Sequence, residues 1–327
     1  MFTVRLYFQG EAAFHPPQPL SQVQKESSAN GKVPDILIAE NQFYSKLTET
    51  MAALSKLKVK KENLVKILSE FDSLIVAFSG GVDSAFLLAV SLEVLKNNLI
   101  AVTAKSPIHP VREIEEAAAF THDFNIKHIV VQSNEMNQSE FLANHEDRCY
   151  ICKKSLFADI LQLASNMGIQ KVAHGANMDD LKDFRPGHKA SLEMGILSPL
   201  VDAGLTKDDI RLISKMMNLK TWNKPSMPCL ATRIPYGTPI TLKALKMVEK
   251  AENIISSLGV TACRVRHHGN IAKIEVNADK LIKLIDEQTR TMLVKKFKEI
   301  GFSHITLDLE GYVQGSLNRY IDNQRQN

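Results

Sequence analysis

The sequence predicts an α/β protein whose larger domain is a doubly wound parallel sheet, followed by a second, smaller α+β domain. Short apolar runs alternate with amphipathic segments of helical spacing, and a glycine turn joins the first run to a helix. A proline-rich stretch then precedes a different pattern of elements, which predicts the second domain. We expect a tag, linker or disordered tail over residues 1–40, the first domain over 41–223 and the second over 224–327.

The elements of the first domain follow from the period of their apolar residues. Residues 43–71 repeat apolar side chains at every third or fourth position, which predicts one or two amphipathic helices. Strands and helices then alternate: strand 74–78, strand 99–103, helix 110–124, strand 128–132, helix 152–167, strand 171–174 and helix 207–217. Because parallel strands end at one edge of a sheet, loops 78–83, 104–106 and 175–180 should line one crevice.

The second domain begins after a loop dense in proline. Pro225, Pro228, Pro235 and Pro239 exclude regular structure there and predict a rigid loop at the domain boundary. The elements expected after it are helix 242–258, a hairpin of 262–267 and 271–276, helices 279–286 and 289–300, and strand 304–309.

Composition limits the class of protein. The 327 residues are 44% hydrophobic and 23% charged, with a net charge of +4 and a pI near 8.7. This positive net charge suits anionic ligands such as nucleotides. The sequence has no concentrated basic stripe, so we do not expect nucleic acid as a partner. No apolar stretch approaches the roughly 20 residues of a membrane span, so a cytoplasmic location without membrane contact is expected. Four cysteines in such a protein predict metal binding or redox chemistry rather than disulfides.

The glycine turn has the form of a phosphate cradle. It follows the apolar run Leu74–Phe78 and has the sequence Ser79-Gly80-Gly81-Val82-Asp83-Ser84-Ala85. Glycines let the backbone approach phosphate, and the first N–H groups of the next helix point at the anion. The turn lacks the lysine of the common P-loop; instead, Ser79 and Ser84 can donate to phosphate oxygens, and Asp83 can hold Mg²⁺ against them.

Three cysteines form a second candidate site. Cys149 and Cys152 lie where a loop becomes a helix, and Cys229 lies in the proline-rich loop. Three thiolates could bind three irons of a [4Fe–4S] cluster and leave the fourth iron open. The alternatives are simple packing of the thiols, or zinc with Cys263 or His145 as a fourth ligand.

Further charged and polar residues are candidates for the crevice, each with a structural alternative. Arg264 and Arg266 alternate on a strand and could clamp a phosphate, or could be the solvated face of a hairpin. Arg233 could neutralise an anion or anchor its loop by an ion pair. The next candidates are Asn177, Asp180 and Arg185, which could position ATP or Mg²⁺ or form a capping network. The last are the acids Glu252 and Glu275, whose alternative is to be solvated acids on amphipathic elements.

Taken together, these motifs resemble the LarE family of ATP-dependent sulfur transferases, within the PP-loop ATP pyrophosphatase superfamily. The resemblance covers residues 60–312 and rests on the cradle, on Arg148–Lys153, on Gly175–Asp180 with the following Asp183–Gly187, on Pro225–Gly237, and on residues 264–268 and 306–312. It implies an adenine nucleotide alpha-hydrolase-like fold. It also implies an enzyme that adenylates the carboxylate of a pyridinium dicarboxylate mononucleotide and replaces oxygen by sulfur, in building the nickel-pincer cofactor of lactate racemase.

The resemblance assigns roles to the candidate residues. In members with three cysteines, those residues hold a [4Fe–4S] cluster that carries an extra sulfide; here they would be Cys149, Cys152 and Cys229. Asp83 and Cys229 would be catalytic, with Asp83 on Mg²⁺. ATP would be bound by Ala77, Ser79, Gly80, Gly81, Asp83, Ser84 and Asn177. A nicotinic-acid-type mononucleotide would be bound by Arg233, Arg264, Arg266, Glu252, Glu275, Asp180 and Arg185.

Two other functions remain open on the sequence. A cluster-dependent tRNA thiolase would share the cradle and the cysteines, although the modest charge does not favour RNA binding. A non-catalytic nucleotide sensor would need only the cradle. The sequence does not identify the sulfide donor, and a homo-oligomer is compatible with it.

Overall fold

The computed structural model describes residues 35–181 and 186–313. The chain divides into two compact units, one up to Ser55 and one from Lys56 onward. Helix α1 (Asp35–Ser69) begins inside the segment predicted to be a tail. The rest of that segment and the candidate Arg185 lie outside the described residues.

A parallel sheet forms the first half of the larger unit. Its four strands within the described residues are β1 (Leu74–Ala77), β2 (Leu99–Lys105), β3 (Lys127–Gln132) and β4 (Val172–His174). They lie in the order β3-β2-β1-β4, and every neighbouring pair is parallel. The sheet is therefore extended in both directions from β1, which confirms the predicted doubly wound fold.

Helices connect these strands, as the alternating pattern predicts. They are α2 (Val82–Leu95), α3 (Val111–Asp123), α4 (Ser139–Leu142), α5 (Arg148–Asn166), α6 (Pro186–Glu193), α7 (Pro199–Asp202) and α8 (Lys207–Met216). Phe157 and Ile160 of α5 pack on Ile75 and Val102 of the sheet. The short helices α4, α6 and α7 were not predicted, because segments of four to eight residues show too little of the 3.6-residue period.

The start of α5 differs from the prediction. The helix begins at Arg148, whereas the sequence predicted a start at residue 152. Apolar periodicity is clear only from the second turn onward, because the first turn consists mainly of arginine, cysteine and tyrosine. Cys149 and Cys152 consequently both lie in the first turns of a regular helix.

A three-stranded sheet forms the second half. It contains β5 (Cys263–His268), β6 (Ile271–Val276) and β7 (His304–Leu307), flanked by α9 (Leu242–Ser257), α10 (Ala278–Ile285) and α11 (Glu287–Ile300). Strands β5 and β6 form the predicted antiparallel hairpin, and β7 joins β6 in parallel. Val265, Ile274 and Phe297 are fully or almost fully buried in its core.

A third apolar cluster joins the two halves. Ile108 and Phe141 of the first half pack with Leu230, Ile234 and other residues of the second half. The backbone is joined as well, since the N–H of Leu230 donates to the carbonyl of Ile108 at 2.8 Å. The proline-rich loop is therefore seated against the strand ends of the first sheet. A domain boundary at residues 223 and 224 stays a prediction.

Candidate active site

The turn between β1 and α2 has the geometry expected of a phosphate cradle. Gly80 has a positive φ of 70°, a conformation that glycine adopts at little cost. The hydroxyls of Ser79 and Ser84 lie 3.1 Å apart, and Ser84 Oγ donates to the carbonyl of Gly81 at 3.3 Å. Helix α2 begins at the next residue, Val82. The two hydroxyls and the first N–H groups of α2 therefore lie at the same turn, as the sequence predicted.

The loop after β4 lies against this turn. A Cβ added to Gly175 would lie 2.7 Å from the backbone nitrogen of Ser84, so only glycine permits the contact. Asn177 is buried; its Oδ1 accepts from the N–H of Asp179 at 2.9 Å, and its own N–H donates to Asp180 Oδ2 at 3.0 Å. These bonds match the capping network that the sequence allowed. The predicted roles of Asn177 and Asp180 in binding ligands stay predictions.

A lysine that the sequence did not single out reaches Asp83. Lys207, the first residue of α8, donates from Nζ to Asp83 Oδ2 at 2.6 Å. Burial raises the pKa of Asp83, and the positive charge of Lys207 opposes that rise. The other carboxylate oxygen, Oδ1, is buried and has no hydrogen-bond partner among the described residues. An oxygen in this state is a suitable ligand for a hard cation such as Mg²⁺.

A second lysine reaches the other side of the turn. Lys224 Nζ donates to the carbonyl oxygen of Gly80 at 3.0 Å and to Glu113 Oε2 at 3.0 Å, and it lies 2.7 Å from Glu116 Oε2. The cradle lacks a P-loop lysine in its own sequence, yet the fold places two lysines beside it. The absence of that lysine from the motif was the only sequence signal that could have prompted a search for them.

The three candidate cysteines converge on one place. Cys149 and Cys152 lie on the first turns of α5, and Cys229 directly precedes a short 3₁₀ helix over Leu230–Arg233. Burial raises the pKa of Cys152, and the nearby thiols of Cys229 and Cys149 raise it further. Burial likewise raises the pKa of Cys229, again with a contribution from Cys149. Cys152 and Cys229 also pack against the same apolar cluster, the one that joins the two halves of the larger unit.

The fourth cysteine belongs elsewhere. Cys263 is buried in the core of the second sheet, where burial raises the pKa of its thiol to about 12. Its Sγ contacts the carbonyl oxygen of Glu252 at 3.8 Å. This environment is that of a packed, unreactive thiol.

The sequence left two kinds of metal site open for these thiols, a zinc ion and an iron–sulfur cluster. Within residues 35–181 and 186–313, no three His, Cys, Asp or Glu side chains have the geometry to hold one metal ion. A tetrahedral zinc site would place its sulfur atoms about 3.8 Å apart, given Zn–S bonds of ~2.3 Å. A cluster spreads its thiolates further, because each binds a different iron. A [4Fe–4S] cluster on Cys149, Cys152 and Cys229 stays a prediction.

The guanidinium of Arg233 is bound by neighbouring protein groups. Its side chain is fully buried, and Nε and Nη2 donate to the two carboxylate oxygens of Glu252 at 2.8 and 2.9 Å. Nη1 donates to the carbonyl oxygens of Pro228 and Cys229 at 2.6 and 3.1 Å. This geometry favours the anchoring alternative, in which Arg233 fixes the loop that bears Cys229. A substrate-binding role for Arg233 or Glu252 stays a prediction.

The two hairpin arginines differ from one another. Arg266 donates from Nε and Nη2 to Glu275 Oε2 at 2.9 and 2.8 Å. Arg264 instead donates to the carbonyl oxygens of Cys263 and Ser226 and lies over the ring of Tyr312, 5.0 Å from its centroid. Both are buried, so the solvated-hairpin alternative does not describe them. Their role in phosphate binding stays a prediction.

Comparison with known proteins gives the family. The NAD synthase family model matches residues 55–159, from α1 into α5. An uncharacterised protein of Synechocystis sp. is 41% identical over 81% of this chain and 99% of its own length. The pyridinium-3,5-bisthiocarboxylic acid mononucleotide synthase of Lactiplantibacillus plantarum is 32% identical over 81% of this chain and 96% of its own length. This chain belongs to the LarE family, the family of that synthase.

Membership of the LarE family confirms the resemblance inferred from the motifs and makes the chain an ATP-dependent enzyme of the PP-loop superfamily. An uncharacterised protein of Methanocaldococcus jannaschii is also similar, at 31% identity over 80% of this chain and 99% of its own length. Among the described residues, no helix combines the length and apolar character needed to cross a membrane.

Proposed function

We propose that this LarE-family enzyme adenylates a carboxylate of a pyridinium dicarboxylate mononucleotide and replaces an oxygen of that carboxylate by sulfur, in synthesis of the nickel-pincer cofactor of lactate racemase. The observation that supports this most strongly is the proximity of two sites. Lys224, which contacts the cradle, and Cys229 lie on the same loop, and that loop is seated against the strand ends. ATP activation and sulfur delivery can therefore act on one bound molecule.

Activation of the carboxylate is the task of the cradle. A carboxylate oxygen leaves poorly until AMP is attached to it, after which a sulfur nucleophile can displace AMP. Ser79 and Ser84 would donate to phosphate oxygens, and Asp83 would hold Mg²⁺ through its unpartnered oxygen. Lys207 and Lys224 add positive charge on both sides, which stabilises the pyrophosphate as it separates.

Sulfur delivery is the task of the cysteine site. Cys149, Cys152 and Cys229 would hold a [4Fe–4S] cluster, which would supply a bound sulfide for transfer without loss of a cysteine. Arg233 keeps Cys229 in place through the carbonyl oxygens of Pro228 and Cys229.

Substrate recognition is the task of the hairpin. Arg264 has no carboxylate partner among the described residues, whereas Arg266 is paired with Glu275. Arg264 is therefore the stronger candidate for the phosphate of the mononucleotide. We also propose that the enzyme acts in the cytoplasm and that it could assemble into a homo-oligomer.

Iron analysis tests the cysteine assignment. Anaerobically reconstituted protein should bind about four irons per chain. Cys229→Ala should lose the iron, while the matched control Cys263→Ala should retain it, because Cys263 lies in the core of the second sheet. Full iron retention in the Cys229 variant would reject the assignment.

Pyrophosphate release tests the reaction. It should depend on a nicotinic-type dicarboxylate mononucleotide, and Arg264→Met should raise the Kd of that molecule by about ten- to a hundredfold while leaving the Kd of ATP unchanged. Tight, salt-dependent binding of bulk tRNA would favour the thiolase alternative. Absence of pyrophosphate release with every mononucleotide would favour the sensor.

A further inference from the structure

Lys224 holds one particular peptide of the cradle. Its Nζ donates to the carbonyl oxygen of Gly80 at 3.0 Å. Gly80 is buried against α3, where a Cβ on it would lie 3.4 Å from the Cβ of Ala117 and from the carbonyl oxygen of Glu113. Glu113 also accepts from Lys224 Nζ. Lys224 therefore contacts the turn on the side that packs against α3.

The other edge of the same peptide lies on the phosphate side of the turn. In a trans peptide the C=O and N–H bonds point in opposite directions. The N–H that belongs to this peptide is that of Gly81, and it donates to Ser79 Oγ at 3.4 Å. That hydroxyl and the hydroxyl of Ser84 are the two groups expected to bind phosphate. Holding the carbonyl of Gly80 on the α3 side therefore keeps an N–H donor on the phosphate side.

Without an anchor, this peptide could turn over at little cost. Both of its residues are glycines, which have no Cβ and accept φ angles of either sign. Gly80 has a φ of 70° and Gly81 a φ of −81°. If the plane of the peptide turned over, the carbonyl oxygen of Gly80 would face the cradle and repel a phosphate oxygen. The orientation seen here needs a group that binds the carbonyl.

Lys224 is itself held in place. Arg211 of α8 donates from Nη2 to the carbonyl oxygen of Lys224 at 2.9 Å, which fixes the backbone at the base of the side chain. The ammonium donates to Glu113 Oε2 at 3.0 Å and lies 2.7 Å from Glu116 Oε2. These carboxylates offset its positive charge. The hydrogen bond to the carbonyl of Gly80 is therefore the more direct way in which Lys224 acts on a bound phosphate.

We propose that Lys224 is a positioning residue: by holding the carbonyl of Gly80, it keeps the N–H of Gly81 directed at the pyrophosphate part of ATP. The inference deepens the proposed function and rests on its assignment of the turn as a phosphate site. A cation on a carbonyl oxygen also polarises the peptide, which makes its N–H a stronger donor. The alternatives are that Lys224 acts on phosphate by charge alone, or that it only ties the proline-rich loop to α3.

Nuclear magnetic resonance can observe this peptide separately from every other. Gly80 and Gly81 are the only adjacent glycines in the sequence. With glycine labelled at its carbonyl carbon with ¹³C and at its nitrogen with ¹⁵N, their peptide alone gives a peak in an HNCO spectrum. In the wild type, pyrophosphate with Mg²⁺ should move the amide proton of Gly81 downfield, because the N–H then binds an anion. Lys224→Met should move the carbonyl carbon of Gly80 upfield and reduce the response of the Gly81 amide.

Calorimetry gives the corresponding affinity. In titrations with pyrophosphate and Mg²⁺, Lys224→Met should show a Kd about tenfold or more above that of the wild type. Lys224→Arg should lose less affinity, because it keeps a charged donor. The matched control is Lys220→Met: Lys220 pairs with Asp123 of the same helix α3 at 2.8 Å, but with 88% of its side chain exposed. This control should match the wild type in both measurements.

The two measurements separate the alternatives. Weaker pyrophosphate binding by Lys224→Met with an unchanged Gly80–Gly81 peak would show that Lys224 acts by charge alone and would overturn the proposal. An unchanged Kd would also overturn it and leave Lys224 a structural tie. If Lys224→Met does not fold, as judged by circular dichroism, the double variant with Glu113→Gln replaces it in both measurements, because no buried carboxylate is then left without its partner.

The experiment is independent of sulfur transfer. Pyrophosphate binding and the Gly80–Gly81 peak require neither the mononucleotide nor a cluster. If both measurements give the expected results but the wild type transfers no sulfur, the proposed function is rejected and the role of Lys224 stands. A wild type that binds no pyrophosphate would reject the cradle, and this proposal with it.

Discussion

Replacement of Gly175 by alanine is the most direct test of how the cradle is built. The new Cβ would lie 2.7 Å from the backbone nitrogen of Ser84 and 2.9 Å from its Cα. Ordinary contacts begin near 3.4 Å, so the loop after β4 or the start of α2 must move by about 0.7 Å. The neighbouring atoms belong to the backbone and cannot rotate away. Overpacking of this kind costs about 1–3 kcal/mol.

The expected loss of stability follows from two opposing terms. Alanine restricts the unfolded chain and so returns about 0.4–1 kcal/mol of stability. The net destabilisation should be about 1–2 kcal/mol, which lowers the Tm by ~1.5–3 °C in a protein of 327 residues. Because the displaced Ser84 lies in the cradle, the rate of pyrophosphate release should fall by about ten- to a hundredfold.

The matched control is Gly187→Ala. Its Cβ would lie 2.8 Å from Cδ of Lys153, but that atom belongs to a flexible side chain that can move. Thermal unfolding and calorimetric titration of ATP, applied to both variants, separate the two cases. If Gly175→Ala keeps the wild-type Tm and ATP affinity, the close contact between the β4 loop and the cradle does not exist in solution and our account of the cradle is wrong.

Other expected results concern buried charges and acid stability. Asp83→Asn should slow pyrophosphate release by about a hundredfold or more, ~2.7 kcal/mol of barrier, because a Mg²⁺ ligand is lost; an unchanged rate at saturating Mg²⁺ and ATP would contradict this role. Arg233→Met should lower the free energy of unfolding in urea by about 3–5 kcal/mol, because it leaves Glu252 buried without its partner. The double variant with Glu252→Gln should recover part of that loss, and a double variant no more stable than the single one would refute the pairing. Burial lowers the pKa of His174 from 6.5 to about 3, so the unfolded chain takes up the proton first. The stability due to neutral His174 is therefore complete above pH 6.5 and decreases as the pH falls, by about 2 kcal/mol at pH 5. In thermal unfolding, the His174→Gln variant should lose less stability than the wild type between pH 7.5 and pH 5. An equal loss in the two proteins would exclude His174 as the cause.

The architecture of the sheet was predictable because its causes are local. Buried parallel strands are short and continuously apolar, and the helices between them show a clear period. The cradle was predictable for the same reason, since a strand, glycines and a helix start are consecutive in the chain. The start of α5 was missed because its first turn has no apolar pattern.

The hairpin shows where prediction from local pattern stops. Alternation correctly placed Arg264 and Arg266 on one face, opposite Glu275 and Lys273 in the register of the pair. It could not show that this face is covered by the proline-rich loop, through the bond from Arg264 to the carbonyl oxygen of Ser226. Whether a strand face meets solvent or protein depends on elements far away in the sequence.

The amino-acid sequence by itself determined the fold class, the family, the cradle and the three cysteines as a set, because these depend on the order and type of neighbouring residues. Only the tertiary structure decided which charges compensate one another: Lys207 pairs with Asp83 across 124 residues, and Glu252 pairs with Arg233. The physical reason is that burying a charge is costly wherever it lies, but which group compensates it is settled by the packing of distant elements.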